Sequence, residues 1–206
     1  PPYWDLGLAA TVSAGADFAL GSVGAGLGAT TATLKGGLGS ASAITSAGYR
    51  VGALVAVNAL GSATVGEGPQ FWAAAFEHGD EFGGLGLPAR FDPGALAIRM
   101  KGDAGASTTI AVVATDAPLT KPQCKRVAVQ SHDGLALALQ PAHAALDGDI
   151  VFAAATGVST RAADLRDLET VGQPDAEMIT IGRDEHLCLV AEAAEGDRVD
   201  DAVAVA

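Results

Sequence analysis

The sequence predicts an α/β fold, because short apolar runs of strand composition alternate with segments of helical spacing. Two runs rich in Val, Ile and Ala, residues 49–60 and 109–115, have the length of buried strands. A helix start signal at Thr120 lies between the second run and a third predicted strand, residues 149–155. The strands are few and the connections long, so the pattern is not a regular βαβ series.

Length and composition exclude several classes of function. The 206 residues fit a single domain, and the net charge of −12 argues against nucleic acid and anionic membranes, which bind through Lys and Arg. No apolar run approaches the length of about 20 residues that spanning a bilayer requires, and no signal-peptide pattern is present, so we expect a cytoplasmic protein. Neither Cys124 nor Cys188 has a metal-binding spacing, and we predict no metal ion and no cofactor.

Regular structure is predicted to begin with a helix over residues 4–20, whose apolar side carries Trp4, Leu8, Val12 and Ala16. Two glycine clusters follow, residues 21–28 and 35–40, and we expect the first to interrupt regular structure. The first contains Gly24-x-Gly26-x-x-Ala29, which is similar to a dinucleotide-binding fingerprint. That motif needs an acidic residue about 20 positions later. Residues 44–48 contain none, so we assign the glycines to tight turns and close backbone approach.

The next strand, residues 49–60, is almost continuously apolar from Gly52, which predicts that both of its faces are covered. Residues 61–106 are irregular, and a stretch of this length inside a compact domain tends to be functional. We expect one short strand within it, over residues 95–100.

A helix follows the strand at residues 109–115. Thr120 and Gln123 form a capping box with Pro122 in the first turn, and the helix is expected to end by Pro141. A last helix is predicted over residues 174–194.

Thr108 is the candidate nucleophile, because this hydroxyl residue stands where the irregular stretch passes into a buried strand. If the chain is cut between Ser107 and Thr108, the hydroxyl gains its own α-amine as a base. A carboxylate pair, Asp147 and Asp149, opens the third strand. A calcium loop of the EF-hand kind would need further oxygen ligands and a glutamate at its twelfth position, and none fits.

Asn58 is the only polar side chain in residues 51–60. Because burying an unpaired amide costs about 1–3 kcal/mol, Asn58 is either a satisfied core amide or an oxyanion-hole donor for acyl transfer. The histidines show no metal spacing, and we expect structural or surface roles for all four: His78, His132, His143 and His186.

Read together, these stretches resemble the DmpA-type family of L-aminopeptidase/D-amidase-esterases. That family includes β-aminopeptidases and nylon-oligomer (6-aminohexanoate-oligomer) endohydrolases. The resemblance covers most of residues 15–157, and its specific signals are the strand after Thr108 and the Asp147-Gly148-Asp149 motif at its offset. The other matching stretches are GSVGAG (21–26), KGGLGS (35–40), VGALVAVN (51–58) and SHDGL (131–135).

The resemblance implies a four-layer αββα sandwich of the N-terminal-nucleophile-hydrolase type, with the N-terminal part of that fold missing from this chain. It implies a precursor that cuts itself into residues 1–107 and 108–206, which stay associated. Thr108 then corresponds to the nucleophile, and Asn58 to the oxyanion-stabilising amide. Asp147 and Asp149 correspond to the acidic pair that supports the nucleophile.

The function that the resemblance implies is release of small N-terminal residues from peptides, amides or esters by a homo-oligomeric aminopeptidase or amidase. A threonine nucleophile with an Asp pair is closer to the nylon-oligomer branch, so endo-hydrolysis of such oligomers stays open as an alternative. An uncleaved, inactive homologue that acts as an assembly or binding subunit also stays open. Acetyl transfer to ornithine is disfavoured, because the chain lacks the local sequence of those self-cleaving acyltransferases around the threonine.

Overall fold

The computed structural model describes residues 2–102 and 106–163 and confirms the α/β fold. Its helices and strands are, in chain order, α1 (Tyr3–Val12), β1 (Gly37–Ile44), β2 (Arg50–Asn58), β3 (Thr108–Thr115), α2 (Lys121–Ala138) and β4 (Ile150–Ala155). The four strands form one sheet in the order β1-β2-β3-β4. Neighbours are antiparallel as far as β3, and β4 lies parallel to β3 after the crossover through α2. The helix predicted over residues 174–194 lies outside the described residues.

One face of the sheet forms the core, because alternate side chains of each strand point to the same side. The buried members on this face include Val51, Val55, Val57, Ala111, Val113 and Val151. Val127 and Leu135 of α2 belong to the same buried cluster. The predicted capping box positions this helix, since the N–H of Thr120 donates to Oε1 of Gln123 at 2.8 Å.

The opposite face of the sheet is apolar and open. The register places Leu54 beside Val112, and Val112 beside Phe152. Leu54 is 38% exposed and Phe152 is 54% exposed, so the expected cover on both faces of β2 is absent from the described residues. A second sheet would cover this face in a four-layer sandwich, and that layering stays a prediction.

The second glycine cluster begins β1, a strand that the sequence analysis did not predict. This strand pairs with β2 along its whole length, from Gly37 opposite Val57 to Ile44 opposite Arg50. Gly, Ala and Ser have low strand propensity, so pairing with an apolar neighbour determines this strand rather than local preference. The first cluster does provide close backbone approach, since a Cβ on Gly26 would collide with backbone atoms of neighbouring segments.

Two other predicted elements are wrong in extent or kind. α1 ends at Val12 instead of residue 20 and buries none of its side chains against the described residues. The strand expected over residues 95–100 is replaced by a 3-10 turn, Pro93–Leu96, because the Asp92 carboxylate accepts the N–H of Gly94 at 2.9 Å. No helix among the described residues is long and apolar enough to cross a membrane.

The irregular stretch between β2 and β3 contributes to the core instead of forming an open loop. A second 3-10 turn, Trp72–Phe76, lies within it. Phe71 and Phe82 are buried, and their ring centroids are 5.2 Å apart. Both rings belong to the same buried cluster as Ala111 and Val113 of β3.

Candidate active site

The strand register brings the predicted site residues together at one end of the sheet. Asn58, the last residue of β2, lies directly opposite Thr108, the first residue of β3. Both are on the open face of the sheet, because they alternate in step with Leu54 and Val112. The carboxylate pair joins them from the segment before β4, where Asp147 forms a parallel bridge with the residue preceding Thr108.

The carbonyl group of Ser107 receives two hydrogen bonds. Oγ1 of Thr108 donates to its oxygen at 2.5 Å, and the N–H of Gly148 donates to the same oxygen at 2.9 Å. Donors aimed at a carbonyl oxygen stabilise the charge that develops there during nucleophilic attack. The peptide bond predicted to break therefore has both a hydroxyl and an oxyanion donor beside it.

The side chain of Asn58 is held at both ends. Its Nδ2 donates to the carbonyl oxygen of Ala106 at 2.7 Å. Its Oδ1 accepts from the N–H of Thr30 at 3.1 Å and from Nζ of Lys101 at 2.8 Å. These hydrogen bonds identify Nδ2 as the end of the amide that faces Ala106, and Oδ1 as the end that faces Thr30 and Lys101. The donor end faces the nucleophile segment, but its acceptor is the carbonyl one residue upstream of the bond predicted to break.

The two carboxylates have different surroundings. Oδ2 of Asp147 accepts from the N–H of Leu60 at 3.2 Å, and its Oδ1 is buried without a hydrogen-bond partner among the described residues. Burial raises the pKa of Asp147, and the neighbouring Asp149 carboxylate adds to the rise. Asp149, whose side chain is 1% exposed, accepts from the N–H of Thr109 at 2.8 Å. Asp147 is therefore the carboxyl of the two whose surroundings favour its neutral form.

Sequence reasoning missed three residues that contact the predicted set. Lys101 holds Asn58, and burial lowers the pKa of this lysine while Asp147 opposes the change. His143 places Nδ1 3.1 Å from Oδ2 of Asp149, although only a structural or surface role was expected for it. Gly148 has no room for a side chain, because a Cβ would lie 2.7 Å from Oγ1 of Thr108.

These omissions have different causes. Gly148 stands inside the Asp-Gly-Asp motif, so its position was available from the sequence. Lys101 and His143 lie in irregular segments, where no periodicity indicates which side chains point to a site. Within residues 2–102 and 106–163, no group of three or more His, Cys, Asp or Glu side chains is arranged to hold a metal ion.

An α/β sheet that carries a threonine, an amide and two carboxylates together at one end of its strands defines a candidate hydrolase. The chain belongs to peptidase family S58, whose family model matches residues 4–206. The resemblance inferred from the motifs is thereby confirmed.

Relatives agree with this assignment. An uncharacterized aminopeptidase of Mycobacterium tuberculosis is 44% identical over 161 residues, which are 76% of this chain and 46% of the relative. An uncharacterized aminopeptidase of Mycobacterium leprae is 41% identical over 175 residues, which are 84% of this chain and 47% of the relative. The chain thus spans about half the length of these curated relatives.

Solved structures show a similar fold. The PH0078 protein from Pyrococcus horikoshii OT3 aligns with a TM-score of 0.51 and 25% identity, over 88% of this chain and 52% of that chain. A Burkholderia sp. β-aminopeptidase aligns with a TM-score of 0.49 and 24% identity, over 75% of this chain and 42% of that chain.

Proposed function

We propose that this protein is a self-processing hydrolase with Thr108 as an N-terminal nucleophile, which releases small N-terminal residues from peptides, amides or esters. The observation that carries the proposal is the convergence of Thr108 Oγ1 and the Gly148 N–H on the carbonyl oxygen of Ser107. Membership of peptidase family S58 and the aminopeptidase names of the relatives support it.

The first reaction is cleavage of the chain by itself. Oγ1 of Thr108 attacks the carbonyl carbon of Ser107, and the bond from that carbon to the Thr108 nitrogen breaks. The hydroxyl proton passes to the leaving nitrogen, and the acyl group becomes an ester on the Thr108 oxygen. Water then hydrolyses the ester, which leaves a carboxylate on Ser107 and a free α-amine and hydroxyl on Thr108.

The second reaction acts on substrate. An N-terminal amine has an ordinary pKa of about 7.7–8.0, so the amine of Thr108 is suited to accept the hydroxyl proton near neutral pH. The hydroxyl attacks the substrate carbonyl, and Nδ2 of Asn58 stabilises the oxyanion once the Ala106 carbonyl has moved away. The amine passes its proton to the leaving group, and water releases the acyl group from the threonine.

Endo-hydrolysis of nylon-type oligomers is a second candidate function. The combination of Thr108 with Asp147 and Asp149 favours it, because this set resembles that branch of the family more than the branch with Ser and Glu. A panel of α-, β- and ω-amino amides separates the two activities. An aminopeptidase favours substrates with a free small N-terminal residue, and the endo-amidase favours interior ω-amide bonds.

Intact-mass analysis and amide turnover of the full-length protein test the proposal. We expect the wild type and Thr108→Ser to be cut before residue 108, and Thr108→Ala to stay whole and inactive. Thr109→Val is the matched control, because Thr109 is the adjacent buried residue and its hydroxyl has no hydrogen-bond partner within the described part of the chain. An uncut wild type without turnover would instead indicate an assembly or binding subunit.

A further inference from the structure

A histidine pair adjoins the carboxylates on the side away from Thr108. His143 lies in the segment between α2 and β4, and His132 lies on α2. Nδ1 of His143 is 3.1 Å from Oδ2 of Asp149, and the backbone N–H of His143 donates to the same oxygen at 3.1 Å. Its other ring nitrogen is 3.3 Å from both Nδ1 and the carbonyl oxygen of His132.

The backbone of His143 is placed in an unusual conformation to make these contacts. Its φ is 54°, in the left-handed region that few residues other than glycine adopt. The conformation directs both the N–H and the ring of one residue at a single carboxylate oxygen. Nδ1 of His143 lies at ion-pair distance from Asp149, and Nε2 contacts the carbonyl oxygen of His132, which can only accept. An ion pair with Asp149 therefore requires a hydrogen on both ring nitrogens.

Asp149 connects His143 to the nucleophile strand. Its other oxygen, Oδ1, accepts the N–H of Thr109, the residue directly after Thr108. The two oxygens of one buried carboxylate are therefore bound on opposite sides, by the histidine and by β3. A carboxylate that accepts several N–H bonds is stabilised in its ionised form.

We propose that His143 is a positioning residue: its backbone N–H and imidazole hold the Asp149 carboxylate in the place from which Oδ1 fixes the Thr109 N–H beside the nucleophile. The inference rests on the proposed function. The backbone of Asp147, the other residue of the pair, forms the parallel bridge with Ser107, so both carboxylates lie beside the bond predicted to break.

The charged groups around the pair act in different directions. The His143 ring opposes the rise that burial produces in the pKa of Asp147. Burial and His143 lower the pKa of His132, which favours a neutral His132 ring, while Asp149 and Asp133 act against that change. Lys101 faces Asp147 from the segment before β3.

The first test is the pH profile of self-cleavage and of turnover in the full-length protein. His143→Asn retains an N–H donor near the position of Nδ1 but cannot carry charge, and His143→Ala removes the donor. We expect both variants to shift the acid limb to higher pH, because the imidazole lowers the pKa of Asp147 and its removal lets that carboxyl hold its proton more tightly.

His132→Gln is the matched control, because it changes the ring beside His143 and leaves the contact with Asp149. We expect its acid limb to lie closer to that of the wild type than the limbs of the His143 variants. Acid limbs of His143→Asn and His143→Ala that coincide with the wild-type limb would overturn the positioning role.

A second measurement needs no variant and covers the case in which the His143 variants do not fold. The ¹⁵N chemical shifts of the imidazole nitrogens report which one carries the proton. We expect a protonated Nδ1 in His143, and a bare Nδ1 would overturn the inference. Failure of the proposed function looks different, because the wild type would then be uncut and inactive at every pH whatever the state of His143.

Discussion

At the scale of single residues, two donors face two different carbonyl groups in the uncut chain. The Gly148 N–H donates to the Ser107 oxygen, and Nδ2 of Asn58 donates to the Ala106 oxygen. Under the proposed function, self-cleavage and substrate turnover would draw on different donors. Asn58 would become available for substrate only when the carbonyl of Ala106 leaves it.

Asn58→Ala is predicted to separate the two reactions. Loss of an oxyanion donor lowers kcat by about 10²–10³-fold, and we expect that loss in substrate turnover. Self-cleavage should slow by a smaller factor, because the Gly148 N–H still faces the carbonyl of the bond that breaks. Rates of both reactions in one preparation make the comparison, and equal losses would argue against separate donors.

Gly148→Ala is predicted to block self-cleavage through a steric clash with Thr108, although it removes no reacting group. Its Cβ would meet Oγ1 of Thr108 at 2.7 Å, so the hydroxyl must leave its position beside the Ser107 carbonyl. Gly102→Ala is the matched control, because a Cβ there has nothing within 4 Å. Time courses of fragment formation should show a large loss for the first variant and little change for the second. Normal cleavage in Gly148→Ala would contradict the close approach.

Asp147→Asn is predicted to stabilise the uncut protein at neutral pH. Burial raises the pKa of Asp147, so the folded chain keeps this proton to higher pH than the unfolded chain does. Stability then falls as pH rises from the ordinary carboxyl range through the raised pKa, and stays low above it. Asn cannot ionise and avoids that loss.

Urea unfolding in the Thr108→Ala background measures this effect without interference from cleavage. The gain from Asp147→Asn should be larger at about pH 8 than at about pH 4. A gain that is the same at both values, or that is larger in acid, would contradict the direction of the pKa shift.

The sequence predicted Thr108, Asn58, Asp147 and Asp149, and the strand register brings all four to one place. Sequence motifs identified these residues, because each stands at or next to one end of an apolar strand. Lys101 and His143 could not be predicted in the same way. Their contacts depend on the path of irregular segments, which side-chain spacing does not encode.

At the scale of elements, β3 and α2 were predictable because local signals agree with the tertiary structure. β3 is rich in β-branched residues, and α2 starts at a capping box that the structure contains. β1 was missed because its strand conformation comes from pairing with β2 and opposes local propensity. The extent of α1 was overestimated because apolar spacing continued past Ser13, where the helix ends.

The open face of the sheet leads to a prediction about these elements. If a second sheet covers it, Phe152→Ser should lower the free energy of unfolding of the full-length protein by about 3–5 kcal/mol, as for buried aromatic truncations. Leu146→Ser is the control, because Leu146 is 79% exposed and lies outside the strands. We expect its effect to stay within about 0.5 kcal/mol. Equal, small effects in denaturant unfolding would show that the face remains open to solvent.

At the scale of the whole molecule, the candidate site lies at the edge of the uncovered face. Asn58 and Thr108 share that face with Leu54 and Phe152, so any layer that covers the apolar part also forms one wall of the site. A four-layer sandwich and a homo-oligomer, both implied by the family resemblance, would each supply such a wall. The sequence indicated the family and the α/β class, whereas which segments cover the face depends on long-range packing.

The formation of a new N-terminus tests the central claim most directly. Free α-amines of the full-length protein are labelled by reductive dimethylation, and amide turnover is followed in the same samples. The protein is then digested, and the labelled peptides are identified by mass spectrometry. We predict that a labelled Thr108 accumulates as activity appears, at the same rate, and that neither occurs in Thr108→Ala. Full turnover in a protein whose Ser107–Thr108 bond is intact would contradict the account.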